Sequence, residues 1–286
     1  MGSFAIGVMT WDRPSTFSKC LATIAANDLT DVDVHVWQEG INCRVTGEPR
    51  TDQCTIDDNR TIFEREQMPH KEWHVQPQHM GCAMQRLTMS DYLSDHYDSF
   101  LITEDDVVVS SHLVPVVKNI LAQFGNDPRV GTINPGQKLL CGTVEVSSNW
   151  DAVTLNDGRT TRMCIDAMTS AIWNQLSPNY TEYTRIISGV PYHHIGDGNV
   201  RRAVANWAAS LGSDILEVSC DTALLRAVLL AGKQRMFAVV NRATNIGDWG
   251  LNCTPSVLAQ LGDGHQPIYE CDEEINITSF RIVEGQ

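Results

Sequence analysis

Two hydrophobic periods alternate along this chain. Short apolar runs recur at residues 4–9 (FAIGVM), 32–37 (VDVHVW), 73–75, 100–102 (FLI), 107–109 (VVV), 130–133 and 235–240. Apolar runs of this length, rich in β-branched residues, predict strands. Between them, apolar residues return at helical spacing. Phe17, Cys20, Leu21 and Ile24 form one stripe, Ala83, Met84, Leu87 and Tyr92 a second, and Leu113, Val116, Val117, Ile120 and Leu121 a third. These stripes predict helices ending near residue 26, over 82–93 and over 112–124. Ser15 or Thr16 is the expected cap of the first, and Pro115 suits the opening turn of the third. Strand, helix, strand in this order predicts parallel βαβ units, whose ligands bind beyond the carboxyl ends of the strands. The turn Thr10-Trp11-Asp12-Arg13-Pro14 and the turn Gln38-Glu39-Gly40 both fall at that edge.

The remaining stretches are less periodic. Residues 42–69 are polar and predict loops with short elements. Beyond residue 138 the pattern predicts shorter strands at 139–146, 150–155 and 161–173, with Asn156-Asp157-Gly158 as a hairpin turn between the last two. Residues 180–204 predict an irregular, mobile loop around His193 and His194. A helix is expected within 216–232, and 241–252, rich in Asn, Gly, Asp and Trp, predicts a flexible loop. The fold class is therefore α/β, with a mixed, mainly parallel sheet flanked by helices. It is one large domain with two halves, residues 1–137 and 138–286. There is no internal repeat and no low-complexity segment.

Composition narrows the partners. The formal net charge of −14 over 286 residues argues against broad binding to nucleic acid or anionic membrane, which needs basic patches. Arg201 and Arg202 remain as a local basic pair. The nine cysteines are irregularly spaced and contain no C-x-x-C pair, which predicts buried thiols in a reducing compartment rather than a zinc site of that type. The apolar run at 4–9 is too short for a signal peptide or membrane anchor. A cytoplasmic location is the expectation.

The chemistry centres on residues 98–110, DSFLITEDDVVVS. Glu104, Asp105 and Asp106 stand between two apolar runs. Adjacent carboxylates repel, and burying them is costly unless a cation or a donor compensates. A divalent metal with oxygen ligands does so, and its open positions can hold a diphosphate. Otherwise the three acids form a solvated turn.

This stretch resembles the DxD-type motif, here EDD, of family-two-like glycosyltransferases with the GT-A fold. Three further stretches carry the resemblance. VMTWDRPSTFSKCL is similar to the family's opening strand, T-x-N/D-R-P-like turn and helix. HMGCAMQRL is similar to the helix that presents an Arg to the donor, with His79 in place of the usual Asn. EVSCDTALLRAVLLAG is similar to the E-D-x-x-L-x-x-R stretch, with Cys220 where the first acid is common.

The resemblance implies transfer of a sugar from a nucleotide-diphosphate sugar to an acceptor hydroxyl; attack assisted by Asp221 from the face opposite the nucleotide implies inversion, with a retaining route open. It implies nucleotide contacts from Thr10, Asp12, Arg13 and Glu39, phosphate or sugar contact from Arg86, and hydroxyl contacts from Glu104 and Asp105. Asp106 would bind Mn²⁺ or Mg²⁺, and Asp221 would be the catalytic base. Trp249 would shield the site or stack on a sugar, in a loop that orders over the donor. Many relatives add a His ligand near that loop; none stands here, so the metal rests on Asp106 and the diphosphate. The acceptor is a glycan, a metabolite, a protein or a modified base in viral DNA.

The residues alone leave other roles open. Arg13 and Arg86 also suit surface charges, Glu39 a solvated turn, Asp221 a helix N-cap, and Trp249 a core position. Two other functions share the layout: a nucleotidyltransferase, whose Gly-rich basic signature the TWDRP turn lacks, and a non-catalytic module that binds sugar nucleotides or glycans.

Overall fold

A computed structural model describes residues 2–135, 149–156, 165–247, 268 and 277–283. Four parallel strands form one side of its main sheet: β1 (Phe4–Thr10), β2 (Asp33–Gln38), β3 (His70–Val75) and β4 (Ser99–Glu104). β5 (Val107–Val109) leaves the sheet. β6 (Val130–Asn134), β7 (Ala152–Asn156), β8 (Ile165–Thr169) and β9 (Gln234–Ala238) extend the sheet. β10 (Ala243–Asn245) pairs antiparallel with β5, and β11 (Arg281–Ile282) closes the far edge. The nine-stranded order is β11-β7-β9-β6-β8-β4-β1-β2-β3. β8 runs antiparallel to both β4 and β6, and β7 antiparallel to β9, so the sheet is mixed but mainly parallel.

Alternation along the strands makes two cores. Phe4, Ile6 and Val8 of β1 face one cluster; Ala5 and Met9 face the other. The first cluster is closed by α1 (Pro14–Ala25), α2 (Gln53–Arg65) and, after α3 (Cys82–His96) has crossed to the opposite face, by α4 (Leu113–Phe124). The second cluster lies under α3, α5 (Ser170–Ile187), α6 (Gly198–Ser210) and α7 (Cys220–Leu230). The chain thus forms three layers, helix–sheet–helix. The sheet runs unbroken across residue 137, because β9 pairs with β6. Among the described residues no helix is long and apolar enough to cross a membrane.

Several expectations need correction. Residues 53–65 form a helix rather than loops. Asp52 caps it, accepting from Thr55 N at 2.8 Å, but only Ile56, Asn59 and Phe63 are buried. One narrow stripe on a polar helix gives a weak periodic signal. Residues 170–173, predicted to continue a strand, begin α5. Thr169 is its N-cap, and Ile172, Trp173, Leu176, Tyr180, Tyr183 and Ile187 form its buried stripe. That helix, a single 3-10 turn at Tyr192–His194 and α6 replace the irregular loop expected over 180–204.

The hairpin expected at Asn156-Asp157-Gly158 does not pair its flanking strands. β9 and β6 lie between β7 and β8. Asp157, Gly158 and the strand expected at 139–146 lie outside the described residues. α1 starts at Pro14 with Arg13 at the N-cap position, not at Ser15 or Thr16. Proline at the first helical position needs no N–H there.

One buried ion pair reaches across β6. Asp166 of β8 and Arg235 of β9 are both 0% exposed, and Arg235 Nη2 donates to Asp166 Oδ1 at 2.8 Å. Removing one partner strands a charge in low dielectric, whereas removing both does not. Arg235→Leu is expected to cost roughly 3–5 kcal/mol in urea unfolding, and Asp166→Leu combined with Arg235→Leu to recover most of it.

Candidate active site

The strand order reverses beside β1. From β1 the sheet grows through β2 to β3 in one direction, and β4 lies on its other side. A crevice opens at the carboxyl ends of strands at such a point. Met9 of β1 pairs with Glu104 of β4, so the residues that follow each strand emerge side by side. Thr10 to Arg13 thereby meet Glu104 to Asp106.

Asp105 is 1% exposed and fully bonded. Its Oδ2 accepts from Thr10 Oγ1 at 2.9 Å and from Trp11 N at 3.1 Å, and its Oδ1 accepts from Arg13 Nη2. Burial pushes the carboxyl up to about 6, against the pull of Arg13 and these hydrogen bonds. Asp106 is 3% exposed. Arg13 Nη1 donates to its Oδ2 at 2.6 Å and Asn245 Nδ2 to its Oδ1 at 2.9 Å. Burial works against the Arg13 guanidinium, but Asp105 and Asp106 outweigh it and raise its pKa above the ordinary value. Arg13 therefore spans both carboxylates as a fork.

The pairing of β10 with β5 delivers residues 245–247 to the same place. Ile246 N donates to the Asp106 carbonyl at 2.7 Å. A Cβ on Gly247 would collide with the Asp106 carboxylate, so the close approach requires glycine.

Glu104 points to the other side. It accepts from Arg86 Nη2 at 3.0 Å, while Arg86 Nη1 lies 3.1 Å from Asp221 Oδ1. Arg86 is 1% exposed. It is neither a surface arginine nor aimed at open cleft, but a buried bridge between two acids. Burial, then the charges of Asp221 and Asp106, hold the Glu104 carboxyl well above its usual range, while Arg86 opposes them.

Asp221 sits in the first turn of α7, and Ser219 is the N-cap, accepting from Thr222 N. The cap role expected of Asp221 belongs to Ser219. The Asp221 side chain is 30% exposed, and its hydrogen-bond and ion-pair contacts lie on Oδ1. Cys82 and Cys220, at the starts of α3 and α7, place their sulfurs 3.3 Å apart beside this bridge. Tyr192 accepts from Cys220 N at 3.1 Å and docks the 3-10 turn against α7.

Glu39 lies beyond β2 and is 2% exposed, so it is not a solvated turn acid. Its Oε2 accepts from Met80 N at 2.6 Å, in a turn where Gly81 takes φ +83°, a conformation open to glycine. Its Oε1 has no hydrogen-bond partner among the described residues, and neither has Trp11 Nε1. Burial raises the Glu39 carboxyl to about 8. Asp12 is also raised, first by burial. Trp11 packs edge-on to His79 at 4.7 Å, with the Arg50 guanidinium 5.6 Å from its ring centre.

Thr10, Arg13, Asp105 and Asp106 are thus joined by side-chain hydrogen bonds, Arg86 ties Asp221 to Glu104, and Glu39 hydrogen-bonds back to Thr10, its N–H donating to the Thr10 carbonyl at 3.0 Å. Trp249 lies outside the described residues. Sequence reasoning missed Asn59, which is 0% exposed and donates to Trp11 O and Gln38 Oε1. It also missed Asn245. The signal for Asn59 was present as a polar residue between Ile56 and Phe63 on the helix stripe.

No protein-family model and no curated protein matches the chain. Solved structures do resemble it. Staphylococcus aureus TarS 1–349 in complex with UDP-GlcNAc is 10% identical, with a TM-score of 0.43 over 60% of this chain, and the chain spans only 46% of that protein. TarS 1–349 alone gives 10% identity and a TM-score of 0.47 over 79% of this chain and 70% of that one. The mannosyltransferase PcManGT from Pyrobaculum calidifontis, in complex with GDP-Man and Mn²⁺, is 12% identical, with a TM-score of 0.46 over 80% and 74%.

The raised Glu39 carboxyl sets a stability slope. The fold binds its proton up to about pH 8, while the unfolded chain loses it near the ordinary 4.5. Stability from this group is complete below the unfolded value and is lost as pH rises through the folded one. Between pH 5 and 8 the protein is expected to lose on the order of 2–4 kcal/mol through Glu39, and Glu39→Gln to flatten that slope. Unfolding curves of both proteins at several pH values give the difference. It separates Glu39 from His35 and His79, whose depressed values act in the opposite direction below pH 6.5.

Proposed function

We propose that the protein is a GT-A-type glycosyltransferase of the family-two-like group, moving a sugar from a nucleotide-diphosphate sugar to an acceptor hydroxyl with inversion. One observation carries the reading. Three successive acids end a sheet strand at the point of strand reversal; the two buried ones, Asp105 and Asp106, bond to Thr10, Trp11 and Arg13, and a buried Glu39 with an unpartnered oxygen follows the neighbouring strand. Water-solvated turns do not have these properties, and a structural ion pair does not require a lone carboxyl oxygen.

A divalent cation belongs to this proposal. Asp106 offers hard carboxylate oxygens, suited to Mg²⁺ or Mn²⁺. Arg13 uses one lone pair of its Oδ2 and Asn245 one of its Oδ1, which leaves each oxygen a second. When bound, the cation supplies neutralisation of charge on the diphosphate leaving group.

The chain's own residues do the rest. Residues 1–137 hold the donor and 138–286 the acceptor. Glu39 receives the base through its free Oε1, with Thr10 and Asp12 beside it. Asp105, locked by Thr10 and Trp11, and Glu104, locked by Arg86, orient ribose and sugar hydroxyls. Arg13 supplies a positive charge at the phosphates. Asp221 removes the acceptor proton at Oδ2 as the hydroxyl attacks the anomeric carbon from the face opposite the nucleotide. Arg86 is a positioning residue that fixes Oδ1. Trp249 is assigned to shielding the site or stacking on the sugar, and a cytoplasmic glycan, metabolite, protein or modified viral DNA base supplies the hydroxyl.

Calorimetry with uridine and guanosine diphosphates, with and without Mn²⁺, tests the donor side. Asp106→Ala is expected to abolish metal-dependent binding. Asp221→Asn is expected to bind the donor normally and to lose transfer by about 10²–10⁴-fold. Normal turnover in Asp221→Asn removes it as the base. Donor binding with neither hydrolysis nor transfer in the unaltered protein would mark a binding module instead.

A further inference from the structure

A second group of ligating side chains lies away from the carboxylate cluster. His35 of β2 and His74 of β3 bring Nδ1 and Nε2 to 3.0 Å of each other. Glu72 of β3 turns one carboxylate oxygen to each ring, 3.6 Å from His35 Nδ1 and 3.8 Å from His74 Nε2. The register explains the convergence. His35 pairs with Glu72 and Trp37 with His74, and side chains two apart share one face of a strand. The group is four residues before Glu39 on β2, well back from the carboxyl edge.

The surroundings settle which nitrogen of His35 holds its lone pair. Tyr97 Oη donates its single proton to Asp33 Oδ2 at 2.7 Å. The same oxygen lies 2.6 Å from His35 Nε2, so it accepts there and Nε2 carries the hydrogen. Neutral His35 then bears its lone pair on Nδ1, aimed at His74 and Glu72. Burial holds His35 neutral, lowering it to about 4, and lowers His74 as well. A ring nitrogen fixed by a hydroxyl–carboxylate chain, with its other nitrogen presented to two more ligands, is the outer-shell arrangement of a metal-bound histidine. Trp37 stacks on the His74 ring at 4.1 Å and holds its orientation.

We propose that His35 Nδ1, His74 Nε2 and Glu72 form a Zn²⁺ site that fastens the edge strand β3 to β2. Two imidazoles and one carboxylate suit zinc rather than Mg²⁺ or Ca²⁺. Zn–N and Zn–O bonds of about 2.0–2.2 Å place tetrahedral ligands ~3.3 Å apart; the two nitrogens stand 3.0 Å apart, and one Glu72 oxygen lies within 4.8 Å of both. The Glu72 side chain is 56% exposed, so the fourth position opens to water. β3 needs such a fastening. It is the last strand of the sheet, paired only with β2, and its residues are mostly exposed or half-buried. Without metal, the 3.0 Å contact is one hydrogen bond from His74 to His35. On binding, His74 moves its proton to Nδ1 and no net proton is released.

Zinc titration of the whole chain, followed by calorimetry and thermal melting, tests the site. One equivalent of Zn²⁺ is expected to bind and to raise Tm by about 5 °C at a hundredfold excess over Kd, with no such rise in Mg²⁺. Glu72→Gln, an exposed substitution that leaves the core intact, is expected to weaken zinc at least tenfold, and His74→Asn to abolish the Tm rise. Asp106→Asn keeps both, which separates this site from the diphosphate cleft. Absence of a zinc equivalent in the unaltered protein, or its persistence at full affinity in Glu72→Gln and His74→Asn, overturns the proposal.

Discussion

Charge compensation at the carboxyl end of β4 is the constraint to which the rest of the molecule answers. Asp105 and Asp106 are almost wholly buried, and each buried ion costs several kcal/mol before it is paired. Arg13 meets that cost for both, and Arg86 does the same for the neighbouring Glu104 from the other side. Arg13 arrives from the turn after β1 and Arg86 from α3. Neither can reach the acids unless β1, β4, α1 and α3 are already in register. Arg86 extends the tie to Asp221 and so to α7. The acids thus order the elements around them, and the fold cannot bury β4 without assembling the cleft.

Much of that cleft could be read from the chain because its parts are local. The strands at 4–9 and 32–37 carry β-branched residues at a period of two, the strand at 100–102 is a continuous apolar run, and each ends in a polar turn at the same edge. Parallel topology then places Thr10, Glu39 and Glu104 together with no further information. What stayed hidden depends on distant partners. α2 is polar, with its stability in tertiary packing of Ile56, Asn59 and Phe63, so its own period is faint. α5 begins directly after β8 with Thr169 shared between strand and cap, so the change of period falls inside one apolar run.

The hairpin signal at Asn156-Asp157-Gly158 failed for a related reason. Local turn chemistry predicts that flanking strands pair, yet β7 finds β9 and β8 finds β4 and β6. Asp166 explains β8. A buried carboxylate in a central strand needs a buried cation, and Arg235 of β9 supplies it across β6. Arg86 hid in the same way. On its helix stripe it reads as an exposed residue, because the acids that bury it come from β4 and α7, residues 104 and 221.

Arg13 changes the electrostatic logic of the site. Three adjacent acids suggest a divalent cation as their counter-charge. The structure shows that a guanidinium already neutralises two of them, bonded to Asp105 Oδ1 and Asp106 Oδ2. In the proposed reaction the cation and Arg13 therefore draw on one carboxylate, and the positive charge facing the diphosphate is shared between them. A cation on the remaining lone pairs of Asp106 would weaken its hold on Arg13, whose side chain is 28% exposed. Asp105, with three donors, would keep its place. The neighbouring acids differ for that reason: Asp105 is part of the frame, and Asp106, whose side chain among the described residues accepts from Arg13 and Asn245, is the one a cation would engage.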